Sequence, residues 1–128
     1  MRKPSQIETL TKLLEAYKEE ARLYKEMQEA AAEQFDLLRG GSAPRCVADL
    51  TERRCALAEL IDEIESAIRP LRGDREELPP IDSAHCLKLA HELDQLLDQI
   101  AGQVRDLIEI ERKNSIALIN ATATEAVQ

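Results

Sequence analysis

The stretch 86-CLKLAHELDQLLDQIAGQVRDLIEIERKNSIALINATATEAV-127 decides the fold. At 100° per residue, Leu89, Leu93, Leu96, Leu97, Ile100, Val104, Leu107 and Ile108 share one continuous apolar arc. That periodicity predicts an amphipathic helix broad enough to touch two neighbours. Asp94, Asp98, Arg105 and Glu109 fall on the side left for water. Past Ile108 the same face carries Glu111, Asn114 and Ser115, and only then Leu118. Ile116 and Ile119 project well off the stripe. A helix buried along one face is therefore expected to lose its cover near Ile108 and to expose isoleucines beyond it. Exposed aliphatic side chains in that pattern point to a partner.

Working back towards the start, residues 5–39 read as a first helix. Ser5 followed by Glu8 is a capping-box pattern. Ile7, Leu10, Leu14, Tyr17, Ala21, Tyr24, Ala31, Phe35 and Leu38 recur at helical spacing, with the three aromatics assigned to the core. Gln28 breaks that run, and Met27 beside it is expected to fill the layer. Gly40-Gly41 supplies a left-handed C-cap. Pro44 restarts the chain in a second helix, so that the two form an antiparallel hairpin. That helix is expected over 44–69, closed by Pro70, with Val47, Leu50, Leu57, Ile61, Ile64 and Ile68 inward and Leu60 widening the face. Arg54 stands where the period demands an apolar residue; its stem is expected along the seam with the charge in water. Leu71 to Ile81 reads as a loop pinned by Leu78 and Ile81, and Asp82-Ser83 as the N-cap of a third helix over 83–121. The small, polar end from Ala121 to Gln128 is expected to fray.

Composition supports this reading. Only 2% of the residues are aromatic, and the apolar content is mostly Leu, Ile and Ala, which build helices rather than strands. The expected fold is all-α: one domain, an elongated antiparallel three-helix bundle with coiled-coil-like packing. A net charge of −8 with no basic run argues against nucleic acid as the ligand, since phosphates must be met by Lys and Arg. No apolar run approaches the roughly 20 residues that span a bilayer. Met1-Arg2-Lys3-Pro4 leads into a polar helix without an apolar signal region, so a cytoplasmic protein is expected.

Chemistry is sparse. There is no Gly-rich phosphate loop, HExxH or nucleophile elbow, so neither an enzyme nor a cofactor is expected. Cys46, Cys55 and Cys86 are odd in number and lack C-x-x-C spacing. They read as buried or half-buried thiols that hold no metal and form no internal disulfide; His85 beside Cys86 is only a weak hint of a ligand pair. Leu89-Ala90-His91-Glu92-Leu93 resembles the phospho-acceptor helix of histidine phosphotransfer domains over about five residues. Asp94 and Gln95 stand where that pattern wants Lys and Gly, and His91 fits a helix-surface histidine better.

Three pieces of the chain carry a wider likeness. The first helix opens leucine-rich at Leu10, Leu13 and Leu14 and enters the acidic turn Tyr17-Lys18-Glu19-Glu20. The break at Gly40-Gly41 leads to a charged helix with Leu57, Leu60 and Ile64. The closing run is Leu107-Ile108-x-x-Glu111-x-x-Asn114-x-x-x-Leu118-Ile119. Together they resemble the FlgN-like flagellar export chaperones, although the three cysteines form no part of the pattern. The resemblance implies a non-catalytic secretion chaperone for hook–filament junction proteins that holds its client through the C-terminal helix. The partner-binding residues expected on this basis are Ile108, Asn114, Ile116, Leu118 and Ile119. Two other readings compete with a chaperone: a homodimeric structural coiled coil buried through Ile116 and Ile119, and phosphotransfer through His91.

Overall fold

The computed structural model describes residues 5–41, 44–77 and 83–127, with side chains placed at 5–41, 45–72 and 83–120. Three helices make up the fold, α1 (Gln6–Arg39), α2 (Pro44–Glu77) and α3 (Ala84–Val127), and no strand occurs among the described residues. The Leu78 and Ile81 anchors expected of the second connection lie outside those residues.

Local signals explain the helix ends. Ser5 Oγ accepts from the Glu8 amide at 3.1 Å, satisfying one of the orphan donors at the start of α1. At the other end the Gly40 amide donates to the Asp36 carbonyl at 3.0 Å, and Gly41 takes the left-handed φ of 71°. Ser83 Oγ accepts from the Cys86 amide at 3.1 Å and caps α3. That helix then continues to Val127 instead of stopping near 121.

Pro70 does not close α2. The helix carries the proline inside it and runs to Glu77, shortening the expected loop. An interior proline costs about 3 kcal/mol through its missing N–H and its clash with the preceding turn. Contacts on both sides offset that cost: Ile68 is buried before Pro70, Leu71 packs on the same cluster after it, and Arg72 reaches back to Glu65 at 2.6 Å.

Adjacent helices run antiparallel, and α1 and α3 run parallel. Gln34 and Met27 on α1 meet Thr51 and Ile61 on α2, whereas Ala21 and Ala31 meet Gln103 and Asn114 on α3. The central helix is α1, not α3. It packs against both others, while no Cα atom of α2 comes within 8 Å of a Cα atom of α3 among the described residues. This position buries a second face of α1, including Thr9, Leu13, Glu20, Leu23, Ala30 and Gln34. Met27 fills the layer next to Gln28 as expected, but Ile7 and Leu60 are exposed, and Phe35 is only half-buried beneath the Arg39 guanidinium.

The seams keep a seven-residue repeat. On α3 it runs Cys86, Leu93, Ile100, Leu107, Asn114; on α1, Leu13, Glu20, Met27, Gln34; on α2, Arg54, Ile61, Ile68. Such a repeat is the mark of coiled-coil packing. Its members alternate in kind along the bundle. One apolar cluster gathers Leu10, Leu13, Leu14, Tyr17, Ile68, Cys86 and Leu93, and another Leu23, Met27, Ala31, Leu57, Ile61 and Leu107. Between them lies a polar layer around Glu20 and Gln103, and beyond the second cluster a polar layer around Gln34, Arg54 and Asn114.

Candidate functional site

The second polar layer forms the floor of a cleft of about 260 Å³ where all three helices meet near the α1–α2 turn. Arg54 is its central residue. Nη1 donates to Gln34 Oε1 at 2.7 Å, and Nη2 makes an ion pair with Glu111. Gln34 Nε2 in turn donates to Thr51 Oγ1 at 2.9 Å, and that hydroxyl donates to the Val47 carbonyl at 3.1 Å. The Arg54 side chain is only 16% exposed, so its charge does not sit in water as the sequence suggests. Glu111, 44% exposed, brings the counter-charge from α3 because the guanidinium has the reach to cross between backbones that stay apart. Leu38, Val47 and Leu118 give the cleft apolar walls above this floor.

Of the partner residues expected from sequence, four are exposed and one is not. Ile108, Ile116, Leu118 and Ile119 are between 50% and 67% exposed. Asn114 is buried; its Nδ2 donates to the Ala31 carbonyl at 3.1 Å and bolts α3 to α1. The inward face of α3 therefore stays packed beyond Leu107, through Ile110 and Asn114, and Ile108 lies outside it. Leu118 borders the cleft, whereas Ile116 and Ile119 stand one turn apart on the helix exterior. Gln34, Leu38, Val47 and Arg54 complete the site from the other two helices. Arg54 alone gave a signal, as the charged residue in an apolar register.

His91 is exposed, 27 residues before Leu118 and thus about 40 Å away along the same helix. Among the described residues no three His, Cys, Asp or Glu side chains gather in a metal-holding group, and no helix is long and apolar enough to cross a membrane. All three cysteines are free thiols; Cys46 and Cys55 are exposed rather than buried, and Cys86 is in the core. A disulfide reagent is accordingly expected to label two thiols in the native protein and the third only on unfolding. Three equal labelling rates without denaturant would contradict that burial.

No protein-family model, curated protein or solved structure matches the chain.

Proposed function

We propose that the chain is a non-catalytic binding protein that docks a helix of a protein client on the C-terminal part of α3. In the light of its likeness to the FlgN-like chaperones, the client class is the hook–filament junction proteins, held before export. The observation that supports the reading best is the exposed pair Ile116 and Ile119 on the outside of α3, with Leu118 exposed at the rim of the cleft. An amphipathic helix recognises such a surface through apolar side chains spaced three and four residues apart. Each aliphatic side chain removed from water contributes roughly 1.5–3 kcal/mol, less the cost of ordering the complex.

The test is Ile116→Ser combined with Ile119→Ser, assayed by calorimetric titration with a purified hook–filament junction protein. Affinity is expected to fall at least tens-fold while the melting temperature stays within about 3 °C, because exposed substitutions change stability little. An unmodified protein that binds no such client would remove the flagellar assignment. A double variant that unfolds, or that converts a sedimenting dimer to monomer, would instead assign the isoleucines to a seam between copies.

A further inference from the structure

The polar layer between the two apolar clusters contains a carboxyl group in an unusual place. Glu20 lies on the buried face of α1 and is 1% exposed, and its Oε1 has no hydrogen-bond partner. Across the α1–α2 seam its side chain faces Glu65, another acid. The one guanidinium described nearby belongs to Glu65: Arg72 is bonded to it at 2.6 Å, close to the ring of Tyr17, and acts on Glu20 only through its charge. Tyr17 and Tyr24 line the same site from α1, with Asp62 further along α2. On the α3 side Gln103 donates to the Ala21 carbonyl at 3.0 Å and carries no charge. Two negative charges in that space would face burial and mutual repulsion with a single cation between them.

We propose that Glu20 and Glu65 form a proton-held clasp: Glu20 stays neutral and donates its proton to the Glu65 carboxylate, and loss of that proton loosens the α1–α2 seam.

The energetics follow from burial. A neutral carboxyl can leave its carbonyl-like Oε1 unpartnered at modest cost, whereas a full charge there has no adequate solvation. Burial first, then the bond to Glu65 and its charge, push the Glu20 carboxyl up to about 8, against the smaller opposing pull of Arg72. In the unfolded chain the same group titrates at an ordinary carboxylate value of 4.5. Between those two values the folded protein holds a proton that the unfolded chain has released, so stability falls as pH rises through that window. Below it the contribution is complete, and above it the contribution is gone. The other displaced groups act elsewhere. Hydrogen bonds from Arg22 and Arg112 lower Glu19 and Glu109, which matter only as acid is added, and burial raises Tyr17 and Tyr24 above the phenol range.

Carboxyl-carbon NMR on the labelled full chain reads the clasp directly. The Glu20 carboxyl is expected to titrate above pH 7, with the melting temperature falling by roughly 5–10 °C between pH 5 and pH 9. Glu20→Gln is expected to keep a bond to Glu65 while abolishing most of that fall, leaving the variant more stable than the parent at pH 9. Glu65→Gln removes the facing charge and is expected to bring the Glu20 midpoint down. Titration of every carboxyl below pH 6 would overturn the clasp. So would a Glu20→Gln variant whose melting temperature falls as steeply as the parent's, or a Glu20 midpoint unmoved by Glu65→Gln. Should Glu20→Gln fail to fold, the parent and Glu65→Gln titrations decide the matter.

Discussion

Replacing Leu93 with Ala is expected to lower the stability of the bundle by about 3–4 kcal/mol, at the centre of the range for fully buried leucines. For a domain of this size the melting temperature should drop by roughly 10–15 °C. Leu93 is 0% exposed and belongs to the apolar cluster in which Leu13 of α1, Ile68 of α2 and Cys86 of α3 come together. Removing its branched end leaves a hole that three helices would have to close at once. Because α2 and α3 are held apart at the backbone, neither can move in without giving up its packing on α1. The natural control is Leu87, six residues earlier on the same helix and half-exposed. Leu87→Ala should change stability by less than about 0.5 kcal/mol. Leu93→Met, which nearly conserves volume, should cost less than about 1.5 kcal/mol. Thermal unfolding of the three variants side by side tests the packing. Equal small losses at Leu87 and Leu93 would place the core somewhere else.

The same seam shows how far the sequence is legible. The all-helical class follows from residue type and spacing, because so few aromatics leave strands little to pack with. The exposure of Ile116 and Ile119 follows from their angle off the stripe. Ile108 and Asn114 depart from expectation for two different reasons, Ile108 through its angle and Asn114 through its polarity on a face that stays buried. A straight helix advances 100° per residue, whereas a supercoiled one keeps a seven-residue repeat, and the two drift apart by about 20° per heptad. Over the nearly three heptads from Leu89 the error becomes large enough to swing Ile108 out, whereas Asn114 stays on the inward face by either count. The strict repeat Cys86, Leu93, Ile100, Leu107, Asn114 excludes Ile108, and the burial of Asn114 rests on its bond to the Ala31 carbonyl, which no period records.

The centrality of α1 was hidden differently. Its second buried face carries Thr9, Glu20 and Gln34, residues that a binary pattern assigns to water. Gln34 finds its partners, Thr51 and Arg54, on another helix, whereas the Thr9 hydroxyl and Glu20 Oε1 are buried without any, and no local period records either arrangement. Pro70 misled for a related reason. Its local preference ends a helix, and only the tertiary contacts of Ile68 and Leu71 on either side override it.

Arg54 offers the sharpest measurement of what such a polar layer contributes. Arg54→Ala is expected to cost about 2–3 kcal/mol, because it leaves Gln34 Oε1 buried without a donor and removes the stem that fills the seam. The loss stays below the 3–5 kcal/mol typical of a fully buried ion pair, since half-exposed Glu111 can turn to water. Lysine should not rescue it: one ammonium cannot reproduce a planar fork that serves Gln34 on α1 and Glu111 on α3 together. Arg54→Met restores the packing but leaves Gln34 unpartnered, so it should recover only part of the loss. Combining it with Gln34→Leu removes both halves of the polar contact, and the double variant should approach or exceed the parent in stability. Urea unfolding of the two single variants and the double closes a thermodynamic cycle, with an expected coupling of about 1–2 kcal/mol. Strict additivity would show that Arg54 and Gln34 do not sense one another in the folded protein. A strong coupling with an undiminished double variant carries a different meaning. A layer that can be replaced by apolar residues without loss is not retained for stability, and what it then contributes is register: it fixes Thr51, Gln34 and Glu111 at one level and so sets the floor beneath Leu118.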